Sequence, residues 1–155
     1  MATRAHRPAT TSAGFTLIEL MVTVAIIAIL GTLAVAGYTS QVRKSRRTEA
    51  RTALLDLAAR QERYNSTNSS YTDLPANLGY SGTFPQSVGN GYYQISVCVN
   101  ATLPCAADAG TGTAFLLTAT PAGTQAADTA CGSFTVDSTG AQAVTGSATA
   151  SSCWN

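Results

Sequence analysis

The pattern of apolar and polar positions changes character twice along the chain. From Phe15 to Tyr38 apolar side chains run almost unbroken, and from Leu20 to Tyr38 no residue is charged. As a helix rising 1.5 Å per residue, this run spans roughly 28 Å, about one bilayer hydrocarbon core. Beyond it a second pattern begins. Ala50, Leu54, Leu57, Ala58, Gln61 and Tyr64 recur at helical spacing, while Arg47, Arg51, Asp56, Arg60 and Arg63 mostly face elsewhere. The cap and turn residues Asn65-Ser66-Thr67-Asn68-Ser69-Ser70 end that pattern. The two patterns together predict one helix of about 50 residues, far longer than an ordinary globular helix. A loop rich in Pro, Gly and Asn follows from Tyr71 to Gly91. Alternation then predicts strands at Tyr92–Val99 and Ala114–Thr120, and a hairpin from Phe134–Asp137 to Gln142–Val144 through Ser138-Thr139-Gly140. The expected fold class is α+β, with three to four antiparallel strands packed on the second half of the helix.

Charge sharpens the division. Only 11% of residues are charged and 45% are hydrophobic. Every cation lies between Arg4 and Arg63, with a cluster at Arg43, Lys44, Arg46 and Arg47. From Tyr64 onward there is no Lys, Arg or His, and Asp73, Asp108, Asp128 and Asp137 make that part neutral to acidic. A surface that reads nucleic-acid phosphates should be basic, so nucleic acid is an unlikely partner of the C-terminal part. The helix cations suit a solvated face that meets anionic lipid headgroups, or salt bridges to acids of neighbouring molecules.

Glu19 is the feature a plain membrane anchor leaves unexplained. An ionised acid within a membrane span costs on the order of 3 kcal/mol on insertion scales, so it needs a use and a partner. A secretory signal cut after Ala34-Val35-Ala36 would carry an unusually long apolar region containing that same acid. Elsewhere no nucleophile–base pair, carboxylate dyad or phosphate loop is recognisable, so no catalytic residue and no cofactor is expected. Cys98, Cys105, Cys131 and Cys153 have no histidine near them, which points away from a metal site and towards two disulfides formed outside the cytoplasm. Four cysteines allow three connectivities; proximity in sequence favours Cys98–Cys105 and Cys131–Cys153. The Asn65, Asn68 and Asn100 sequons are expected by chance in so Asn-, Ser- and Thr-rich a chain.

Gly14-Phe15-Thr16-Leu17-Ile18-Glu19-Leu20-Met21 resembles the processing motif of type IV prepilins. The resemblance implies a leader over 1–14 removed by a prepilin peptidase, which cuts between Gly14 and Phe15 and N-methylates Phe15. It implies a membrane and filament-core helix over 15–42, a helix half packed on the head over 43–68, and a β head over 69–155. Glu19 would pair with the Phe15 amine of a neighbouring subunit during assembly, and the 43–47 cluster would lie outside the inner membrane. Small residues such as Ala25, Ala28, Gly31, Ala34 and Gly37 would let these helices approach closely. Ala36 stands where many family members carry a kinking proline, leaving Gly31 and Gly37 as the weak points. The Cys131–Cys153 region is similar to the C-terminal disulfide region of type IVa pilins. Cys153-Trp154, with Thr48-Glu49-Ala50 and Ala59-Arg60-Gln61-Glu62-Arg63-Tyr64, resembles PilE-like minor pilins. The implied function is a structural subunit, a minor pilin, inserted in the inner membrane and assembled into a surface filament for twitching motility, adhesion or related functions. Its partners would be other pilins, the prepilin peptidase, the assembly machinery and the membrane. A DNA-receptor pilin of transformation and a type II secretion pseudopilin are the alternatives.

Overall fold

The computed structural model describes residues 14–100 and 110–155, with the backbone alone for Ala36. The expected leader and Cys105 therefore lie outside the described residues. The chain divides into two compact units, one ending at Thr39 and one running from Ser40 to Asn155. A single helix, α1 (Leu17–Asn68), contributes to both.

In the first unit α1 is long and apolar enough to cross a membrane, with a mean hydropathy of 2.5. The large apolar side chains of this unit are exposed, from Phe15 at 88%, just before the helix, and Leu17 at 77% to Leu33 at 71% and Tyr38 at 72%. So large a continuous apolar surface in one chain demands lipid or other protein as its neighbour.

The second unit is an antiparallel sheet covered by the polar-patterned part of α1. Strands β1 (Tyr71–Thr72), β2 (Gln86–Val88), β3 (Tyr93–Val99), β4 (Thr111–Gly112), β5 (Phe115–Pro121), β6 (Phe134–Asp137) and β7 (Gln142–Val144) are followed by a one-turn helix, α2 (Ala150–Trp154). The main sheet has five strands in the order β2-β3-β5-β6-β7, and β1 pairs with β4 separately. Its centre is set by Ile95 opposite Ala119, Val97 opposite Leu117 and Leu117 opposite Val136. These inward positions form one buried cluster with Ala50, Leu54 and Leu57 of α1. Leu54, Leu57, Ile95, Leu117 and Phe134 are fully buried, each worth about 2 kcal/mol of apolar transfer.

The sheet is wider than the three to four strands the alternation predicts. The added strand, β2, lies in the stretch expected to be loop and pairs Gln86 with Ile95 and Val88 with Tyr93. Three residues are too few to establish a period of two, so pairing with a strong neighbour, not local pattern, creates this strand. The same holds for the two-residue β1, whose partner lies about forty residues away in β4. Gln61 replaces part of a strand there. Its side chain donates to the Thr72 carbonyl at 2.6 Å and accepts from the Thr72 N–H at 3.1 Å, so this buried amide pairs the backbone as a neighbouring strand would.

Candidate functional site

At the start of α1 the backbone N–H groups have no helical partner, and the sequence supplies one. Glu19 Oε2 accepts from the Thr16 N–H at 3.0 Å and from the Thr16 hydroxyl at 2.9 Å. Thr16 Oγ1 in turn accepts from the Glu19 N–H at 3.3 Å. This is a reciprocal capping box, Thr-x-x-Glu, a signal present in the sequence at Thr16 and Glu19 but not among the uses the sequence suggests for Glu19 above. Glu19 thus has a partner inside its own chain, and an anchor does have a use for it. Phe15, the residue expected to become the new terminus, is exposed beside this cap.

The basic cluster is only in part the solvated face that the spacing suggests: Arg43 and Lys44 are exposed, but Arg46 and Arg47 are engaged. Arg47 binds Asp128 through two contacts, Nε to Oδ2 at 2.6 Å and NH2 to Oδ1 at 2.7 Å. Asp128 is 2% exposed and also accepts from Gln125 Nε2, which reaches the Tyr93 hydroxyl as well. Arg46 lies 3.6 Å over the Tyr92 ring and donates to Thr124. Arg51 donates to the Asn155 carbonyl, and Arg60 to Asp56 and the Leu78 carbonyl. These four arginines fasten α1 to its own sheet and loops. The helical wheel misplaces Arg47 because a long side chain can reach from the edge of a stripe to an acid 81 residues away. Burial alone would raise the Asp128 pKa; the Arg47 hydrogen bonds and charge outweigh it and hold the carboxyl below its ordinary value.

At the other end of the head, Cys131 and Cys153 are joined in a disulfide that ties the start of β6 to α2. Both are buried. Phe134 packs edge-on against Trp154, whose indole N–H donates to the Ala143 carbonyl. Cys98 is buried in β3 and is not a free thiol. Among the described residues no group of His, Cys, Asp or Glu has the arrangement of a metal site.

A family model described as "Type IV minor pilin ComP, DNA uptake sequence receptor" matches residues 36–135. The chain belongs to the type IV pilin family. A second model, the prokaryotic N-terminal methylation motif, matches residues 10–35 of this pilin and so contains Gly14, Phe15 and Glu19. Over 84 residues, 54% of its length, the pilin is 38% identical to the type IV major pilin protein PilA of Myxococcus xanthus, and spans 36% of that protein. A solved type IV pilin from Shewanella oneidensis is 28% identical, with a TM-score of 0.44 over 64% of this chain and 89% of that one. Pilins are structural proteins, not enzymes, and the methylation motif implies processing by a prepilin peptidase. The pilin's chemistry is accordingly that of contact surfaces: a capped apolar helix, a cross-linked head, and a cation-stapled junction between helix and sheet.

Proposed function

We propose that the chain is a subunit of a type IV pilus, made as a precursor that is cut between Gly14 and Phe15 and methylated on Phe15. Residues 15–42 hold it in the inner membrane and then form the filament core, while 43–68 carry the head, 69–155. The observation that supports this best is the exposed apolar surface from Phe15 to Tyr38, starting immediately after the processing glycine. In the filament the Glu19 carboxylate exchanges its Thr16 contacts for the Phe15 amine of a neighbour. Cys98 pairs with Cys105 to give the second disulfide. A minor subunit's role is supported by the family description; twitching motility and adhesion are the activities such a filament would serve.

Intact mass and N-terminal sequencing of sheared surface filaments test this directly. N-methyl-Phe15 with two disulfides is the expected result. A terminus at Gly37, or the chain found only free in the periplasm, overturns it.

A second reading, a pilin that receives DNA, is favoured by the matched family's description. Against it, the head lacks any cation after Arg63, and Arg46, Arg47, Arg51 and Arg60 are already engaged. Duplex DNA should therefore bind the detergent-solubilised chain no better than background. A salt-sensitive micromolar complex in a gel shift would favour the receptor instead.

A further inference from the structure

Alongside α1 in the head unit runs an open groove of about 610 Å³, walled by Glu49, Ala53 and Asp56 on the helix and by Tyr80, Val88 and Gly89 opposite. Its lining is mostly apolar, yet the half-buried Glu49 places one carboxylate oxygen in it. Glu49 Oε2 is buried and has no hydrogen-bond partner, a condition that costs free energy until a donor arrives. The fold makes room for it there. Gly89 has φ +56, and a side chain at that position would overlap the carboxylate. The second acid, Asp56, already holds Arg60, so Glu49 is the groove's unanswered charge.

Arg46, Arg47, Arg51 and Arg60 are engaged within the head, so the exposed cations among the described residues are Arg43, Lys44 and Arg63. Arg43 already lies in the field of Asp128. Arg63 is fourteen residues beyond Glu49 and about 40° from it around the helix, on the same side. Pairing through one shared side makes closed, two-fold contacts. Lys44 lies five residues before Glu49 and about 140° around the helix, on a different side. A contact from that side of one copy to the groove of the next is heterologous, the kind that repeats into an open filament when its rotation does not close on itself.

We propose that the groove is an interface between subunits, in which the Lys44 ammonium of one copy donates to the half-buried Glu49 carboxylate of the next. This rests on the filament reading above, and the occupant is a second copy of this chain.

Lys44 is the only lysine in the sequence, which makes the pair directly readable. Sheared filaments are treated with a zero-length carbodiimide and digested with trypsin. The expected product is the Lys44-Ser45-Arg46 peptide joined by an amide to Thr48-Glu49-Ala50-Arg51, recovered from a dimer band. Lys44 joined to another acid, or left uncoupled, overturns the pair. Coupling of the Phe15 amine to Glu19 in the same digest reports the core contact separately. The chain's absence from filaments would sink both readings; its presence without the Lys44–Glu49 peptide sinks only this one. In cells, Glu49→Lys should lower incorporation into filaments by roughly tenfold or more, the scale of breaking a buried charge contact. Adding Lys44→Glu should restore it. Normal incorporation of Glu49→Lys, or failure of the second change to rescue a variant whose head still resists unfolding, refutes the pairing.

Discussion

Asp128→Asn is the perturbation that best separates structural use of the basic cluster from a solvated role. It keeps the side chain's shape and removes the charge to which Arg47 binds at 2.6 and 2.7 Å. Removing one member of a fully buried pair costs about 3–5 kcal/mol. Here Asp128 is 2% exposed but Arg47 is 17% exposed, so the released guanidinium can still reach water. The Asn also retains hydrogen bonds to Gln125. A loss of about 2 kcal/mol follows, equivalent to a fall in Tm of roughly 6–10 °C for a head of this size. The assay is thermal unfolding of the full chain in detergent, followed by near-ultraviolet circular dichroism of the head's aromatic side chains. The pH dependence supplies a second check. Asp128 has a folded pKa below its unfolded one, so its contribution is complete above the unfolded value near pH 4 and fades as pH falls through the folded value. Wild type and variant should therefore differ at pH 7 and converge in acid. Equal stability at pH 7 would refute the argument, as would a difference that persists unchanged to pH 2.

Gln61→Leu should cost about 2–4 kcal/mol in chemical denaturation, because it strands the buried N–H and C=O of Thr72; a midpoint within error of wild type would show that water replaces the amide. Cys131→Ser should lower head stability by about 3 kcal/mol relative to the oxidised wild type, the loop-entropy value for a bridge spanning 22 positions, and reduction of the wild type should cost a similar amount. Thr16→Ala should remove about 1 kcal/mol from the first turn of α1, seen as faster amide exchange at residues 18–20 with exchange in the head unchanged. Glu19→Gln should leave that exchange nearly unaltered yet cut filament incorporation by roughly tenfold or more; normal incorporation would remove the charge from the assembly argument.

The length and limits of α1 were legible in the sequence because both of its halves carry long patterns. The uncharged run needs no neighbour to be recognised, and the Ala50–Tyr64 stripe repeats over four turns. The strands at Tyr93–Val99 and Phe115–Pro121 alternate for seven residues each and were equally plain. What escaped has a common cause. The short strands β1, β2 and β4 exist by pairing across the fold, and two or three residues hold no period. Arg47 looked solvent-facing because its partner lies beyond the helix in sequence. The unsatisfied Glu49 oxygen depends on where Gly89 falls after folding. The Thr16–Glu19 box is the local exception: its Thr-x-x-Glu spacing is visible in the sequence alone.

That box changes what Glu19 implies. A carboxylate accepting from a backbone N–H and a hydroxyl of its own first turn is not a bare acid in an apolar segment, so holding it in a membrane is less costly than residue-by-residue insertion scales suggest. Hydrogen bonding at the helix start therefore accounts for a side-chain oxygen at this position. It does not account for the negative charge, since glutamine completes the same box at the third helical position. An uncharged cap would be the better choice for a helix that stayed in lipid throughout. On the proposed function, the charge would gain a use once processing creates a cation at Phe15 and packing brings another subunit's amine within reach. On the assembly role proposed for Glu19, the self-capped state would be the resting state of that contact: Thr16 would satisfy the carboxylate in the membrane, and exchange of that partner for a full positive charge would favour the filament.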